Sequence, residues 1–213
     1  MSGDRYVAAT GYMFIAVFLT TYVILRFLKP LYLISILGGF STILEKTCII
    51  MSIIGLLLIS SGWLSIGRRL KISEACICGE TGLITFSALF LFYTTLTLSH
   101  SKNTLDMILK KLGKDILSEI LLFMIMIVMI FVLTHVISHF TVSRLVKCTT
   151  LRIAGYLHIL LISCTSAYLA SLSIGVIDPS CVMCKIVTIA ILVLLPLSCT
   201  CSSIGVYNIR DVS

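Results

Sequence analysis

Charge is what this chain most lacks. Only 12% of its 213 residues are Asp, Glu, Lys or Arg, about half the share usual in a soluble domain. Proline is nearly as scarce, at three, which leaves room for long uninterrupted helices. No carboxylate stands at the centre of an apolar run. Asp4, Asp106, Asp115, Asp178 and Asp211 fall in gaps or tails, Glu45 and Glu74 at boundaries, and Glu80 and Glu119 only a turn or two inside. A proton- or sodium-coupled carrier keeps ionisable groups at depth, so the pattern speaks against one. The chain has no GxSxG elbow, phosphate-cradling glycine loop or paired-acid motif, so it is expected not to be an enzyme. Asn103 and Asn208 lack a hydroxyl residue two positions on, so neither forms a glycosylation sequon.

Apolar surface is what the chain has in excess. Apolar residues make up 59% of it, and mean hydropathy is +1.14. No core of this size could hide so much, and lipid is the solvent that would accept it. The expected fold class is all-α: a polytopic transmembrane helix bundle with no soluble domain. A helix needs about 20 apolar residues to cross the hydrocarbon. Runs of that kind cover residues 6–25, 47–66, 75–99, 116–140, 151–177 and 182–206, the last containing Pro196. The first is too long for a signal-peptide core, and no small-x-small site follows it, so it reads as a retained span. Residues 31–44 are apolar but would make only about 21 Å of helix. They read as an interfacial or re-entrant segment; as a short span they would raise the total from six to seven.

Residues 100–115 form an amphipathic connector. Leu105, Ile108, Leu109, Leu112 and Ile116 recur at helical spacing, with Lys102, Lys110, Lys111 and Lys114 between them. Such a segment suits the headgroup layer, though an ordinary solvated connector reads the same way. The net charge of +7 comes from basic residues in the gaps. They do not alternate with aromatics, so nucleic acid is not an expected partner. The lipid bilayer, with anionic headgroups, is. If side X is the side of the 67–73 loop, six spans put Arg5, Arg68, Arg69, Lys71, Arg144, Lys147, Arg152 and Arg210 there. An equal number fall on side Y, so the positive-inside rule sets no orientation.

Three constellations stand out. Ser163, Ala167, Ser171 and Gly175 stand four apart and form a small-residue stripe, a helix-packing face that admits close approach. Its plainer reading is packing inside the bundle. Ser61 and Ser65, flanked by Gly62 and Gly67, repeat the theme more weakly. His135 and His139 share one helical face in the X-side half of their span. His158 and Glu80 enter from the same side. These four are weak metal candidates, and His135 with His158 could bracket a haem. The plainer reading, interfacial histidines bonded to hydroxyls or headgroups and tolerant of replacement, is preferred, and no cofactor is expected.

Nine cysteines include Cys76-x-Cys78, Cys199-x-Cys201 and Cys181-x-x-Cys184. Residues two apart on a helix point about 200° apart, so a CxC pair there cannot clamp one ion. Cys148 beside Lys147 is a lipidation candidate, and Cys181 with Cys184 a disulfide candidate.

The compact build resembles the small multi-span membrane and envelope proteins that many viruses encode, a likeness of architecture alone. The expected function is that of a membrane assembly, scaffold or chaperone-like subunit. It would pack against other membrane proteins or copies of itself. The alternatives are a small channel or transporter with a path lined by Thr85, Thr94, Thr95 and Thr97, and a metal- or haem-binding redox protein.

Overall fold

The computed structural model describes residues 3–28, 38–98, 102–173 and 182–209. Every regular element among them is helical. The first helix is interrupted: α1 (Gly3–Phe14) passes through a π-helical segment (Ile15–Leu19) into α2 (Thr20–Leu28). Then follow α3 (Gly38–Leu70), α4 (Ser73–Leu98), α5 (Lys102–Leu145), α6 (Thr149–Ser173) and α7 (Val182–Tyr207), with Pro196 inside the last.

Six stretches are long and apolar enough to cross a membrane: Gly3–Leu25, Thr42–Leu70, Ser73–Thr95, Leu122–Leu145, Thr149–Ala167 and Val187–Tyr207. Two details differ from the sequence reading. Residues 38–44 are not a separate element; they form the first turns of α3, while 31–37 lie outside the described residues. The connector at 102–115 is likewise continuous with the fourth run. Together they make a 44-residue helix, about 66 Å long and roughly twice what a hydrocarbon core requires. Gly113 weakens the helix among the lysine-rich turns, but no proline follows it, so the helix runs on.

On end X, two short turns reverse the chain in the same way. The Ile72 N–H bonds the Gly67 carbonyl at 2.9 Å, and the Cys148 N–H bonds the Ser143 carbonyl at 3.0 Å. These are the six-to-one bonds of a Schellman cap, which needs one residue in the left-handed region. That residue is Lys71 in the first turn (φ 55) and Lys147 in the second (φ 51). Leu70-Lys71-Ile72-Ser73 and Val146-Lys147-Cys148-Thr149 thus share an aliphatic–Lys–apolar–hydroxyl pattern that marks both turns.

The helices close a ring in the order α1, α3, α4, α5, α6, α7 and back to α1, each packed on its two neighbours. The tightest seams use glycine. A side chain at Gly11 would meet the Gly55 carbonyl oxygen at 2.6 Å, and one at Gly79 would meet the Leu64 backbone nitrogen at 2.6 Å. Gly62 sits against Ala8, and Gly67 against Cys76. The Gly62 and Gly67 positions therefore serve internal packing.

The interior packs Trp63, Tyr12, Ile66 and Leu151 together with a set of polar side chains, while the outside is apolar. Ser60, Thr85, His139, Ser143, Ser198 and Ser202 are buried, while Ile84, Leu91, Phe123, Leu133, Ile159 and Val193 are exposed. Lipid, which accepts apolar side chains and gives polar ones no partners, favours this arrangement.

Candidate functional site

Each of the six ring helices sends a side chain to one buried cluster. Spacing of three and four along α4 turns Ala75, Cys78, Gly82 and Thr85 inward and leaves Ile77, Ile84 and Leu91 outside. The same rule on α7 turns Ser198, Cys199, Ser202 and Val206 inward. α1 contributes Tyr12, α3 Trp63, α5 His135 and His139, and α6 His158.

Tyr12 is the hub. Trp63 Nε1–H donates to its hydroxyl at 2.6 Å. The same hydroxyl lies 3.0 Å from His135 Nε2 and 3.4 Å from His139 Nε2. His139 Nδ1–H donates to the His135 carbonyl at 2.9 Å, and His158 Nδ1–H to the Ala154 carbonyl at 2.8 Å. With its one ring proton used there, His139 accepts at Nε2 from Ser202, 3.0 Å away. If Tyr12 gives its proton to His135 Nε2, His135 Nδ1–H faces Cys78 Sγ at 3.4 Å. Every proton in this chain then has an acceptor, as buried polar groups require.

The three imidazoles do come together, with ring centroids 4.5, 5.1 and 5.2 Å apart. His135 and His139 are buried and have hydroxyl partners in Tyr12 and Ser202, whereas His158 bonds the Ala154 carbonyl of its own helix. Glu80 stays outside, exposed. Cys78 and Glu80 are two residues apart, so once Cys78 faces the cluster, helix geometry turns Glu80 away.

Among the described residues, no set of three or more His, Cys, Asp or Glu side chains is arranged to hold a metal ion. The haem reading meets a steric obstacle: His135 and His158 pack edge to face at 5.1 Å, and a macrocycle between them would have to part them.

The other candidates scatter. Ser163 and Ala167 are exposed on α6; the Ser171 side chain and the whole of Gly175 lie outside the described residues. Cys148 is half-buried, and its thiol reaches the Gly205 carbonyl at 3.7 Å. Cys181 and the Cys184 side chain lie outside the described residues. The threonines offered as a channel lining form no common row. Thr85 is buried, Thr97 is exposed, and the hydroxyls of Thr94, Thr95 and Thr97 bond carbonyls of their own helix at 2.8–2.9 Å.

Sequence reasoning missed Tyr12, Trp63 and Ser202. One signal was available: the chain's single tryptophan and the tyrosine at position 12 both interrupt apolar runs with groups that need partners when buried. No family model, curated protein or solved structure matches this chain.

Proposed function

We propose that the chain is an integral membrane protein that acts without catalysis, as an assembly or scaffold subunit holding other membrane proteins, or further copies of itself, by helix packing. One observation carries the reading. The centre of the ring is filled by its own hydrogen-bonded side chains, with Trp63, His139 and Ser202 fully buried. Among the six candidate spans in the described residues, those of α5 and α6 have the smallest share buried within the bundle. A plugged centre favours action at the outer surface over passage through the middle. On that surface Ser163, Ser166 and Ala167 bring small side chains beside the bulky apolar Ile159 and Leu160. Between helices in lipid, burying apolar area adds no drive, so close packing and interhelical hydrogen bonds must supply it.

The test is Ala167→Leu. Overpacking typically costs about 1–3 kcal/mol where a contact exists. Because Ala167 is exposed in the isolated chain, the variant should insert normally and keep its abundance and thermal midpoint. It should lose crosslinking between differently tagged copies, or co-purification with membrane partners, in native membranes. A fall in stability with no separable loss of association would return this face to internal packing and reject the scaffold reading.

A further inference from the structure

At end X the start of α1 and the end of α7 leave a notch of about 220 Å3, lined by Arg5, Tyr6, Tyr207 and Asn208. We infer that this notch binds the phosphate headgroup of an anionic phospholipid. The inference rests on the reading of the chain as membrane-embedded, but on nothing about scaffolding.

Three observations converge on it. The first is the guanidinium. Arg5 Nη1 donates to the Ile209 carbonyl, which pins the fork in place while its other N–H groups remain to donate. A planar, permanently charged fork suits phosphate oxygens better than a lysine point charge. The Asn208 amide adds neutral donors beside the same space, and Tyr207 bonds the Tyr6 hydroxyl, which leaves the Tyr6 O–H to donate.

The second is the aromatic frame. Tyr6 and Tyr207 pack edge to face at 5.3 Å, and each is about half exposed. They stand at the X ends of the first and last candidate spans. Exposed tyrosines at that level are what the headgroup region of a bilayer favours.

The third separates a lipid from a free anion. Below Tyr6 the exposed face continues through Met13 of α1 and Val17 of the π-helical segment, and below Tyr207 that of α7 continues through Ile204 and Leu197. These strips flank the α1–α7 seam, so a molecule whose phosphate sits in the notch finds apolar surface directly beneath for its acyl chains. Charge favours an anionic lipid over a zwitterionic one. Among the described residues at or near end X, Arg68, Arg69, Lys71, Arg144, Lys147 and Arg152 join Arg5, against Asp4, Glu74 and Glu80.

The experiment uses the full chain purified in mild detergent, with bound lipid counted by native mass spectrometry. The probes are phosphatidylglycerol, phosphatidylcholine and diacylglycerol. Wild type should retain phosphatidylglycerol in preference to the other two. Arg5→Gln should weaken that retention at least about tenfold, the low end of what one charge-assisted hydrogen bond supplies. Tyr207→Phe with Asn208→Ala, which alters only exposed side chains, should weaken it several-fold even if loss of the Ile209 tie perturbs the Arg5 variant. Arg152→Gln, an exposed charge on the same end, should change little.

Equal retention by the Arg5 variant, or an equal loss on removing Arg152, would reduce the effect to diffuse charge and overturn the site. Equal binding of diacylglycerol would show that no headgroup is read. Displacement of the lipid by millimolar inorganic phosphate would make it a site for free anions and overturn the lipid assignment. Carbonate extraction of each variant keeps the two questions apart: a variant that stays in the pellet and loses lipid has lost the site, not the membrane.

Discussion

A single hydroxyl joins half of the buried cluster. Tyr12 is 1% exposed and accepts from Trp63 while facing two histidines. Tyr12→Phe keeps the ring and its volume and deletes only the oxygen. Trp63 Nε1–H then has no acceptor, and His135 Nε2 loses its closest partner. Leaving a buried donor unsatisfied costs about 1–3 kcal/mol, and the variant should be less stable by that order. Trp63, as the only tryptophan, reports it directly: its emission should shift, and its thermal unfolding midpoint in detergent should fall. An unchanged midpoint would mean that the hydroxyl carries no structural weight.

Replacing His135 and His139 removes partners of Tyr12 and Ser202 as well, so the expectation that their loss is tolerated now stands against the same cost. Part of this was legible. The four-residue spacing put the two histidines on one face, and depth alone put His158 level with them. The partners were not legible, because in a helix apolar on every side no stripe tells which face turns inward.

At the scale of elements, the two end-X turns pose the clearest test. Lys71 and Lys147 adopt left-handed backbone, which costs an L-residue with a Cβ roughly 1–2 kcal/mol and glycine almost nothing. Part of the gain from glycine is lost to its freer unfolded chain. Lys71→Gly or Lys147→Gly should therefore raise stability by about 0.5–1 kcal/mol each, read as a higher thermal midpoint. A lower midpoint would mean that the lysine side chains hold these turns by contacts that outweigh the backbone. Where helices touch, the sign reverses. A Cβ at Gly11 would lie 2.6 Å from the Gly55 carbonyl oxygen and 2.7 Å from the Ile59 nitrogen. Both are backbone atoms and cannot swing aside. Gly11→Val should cost at least the roughly 1–3 kcal/mol usual for overpacking. Gly3→Val, where nothing lies within 4 Å, should cost almost none. Equal effects in denaturation would dissolve the claim that α1 and α3 meet backbone to backbone. Sequence pattern found the helices here better than their seams. Apolar runs mark a span by length, whereas Gly11 and Gly55 become partners only once α1 and α3 are set side by side.

For the whole molecule, the ring order and the alternation of helix directions make one joint prediction. α1, α4 and α6 begin at end X, and α3, α5 and α7 finish there. Six candidate spans then place Arg68, Arg144 and Asn208 on one face of the membrane and Asn103 on the other, whichever face is cytoplasmic. The count of six was legible because hydropathy and length suffice for it. The orientation was not, because basic residues divide evenly between the two sides. Single cysteines introduced at these four positions, in a background with the native cysteines replaced by alanine, should settle the arrangement in intact vesicles. A membrane-impermeant maleimide should label positions 68, 144 and 208 together and position 103 only after the vesicles are opened, or the reverse. Labelling of 103 together with 68 would remove Ser73–Thr95 as a span and break the ring, because α4 could no longer run between α3 and α5. Labelling of 208 together with 103 would instead displace α7 from α1, and with it both the Ser203 hydroxyl bond to the Ala9 carbonyl and the Arg5 tie to Ile209. The notch at end X exists only if 208 labels with 68, so this outcome decides the closure of the ring and the ground for the lipid site together.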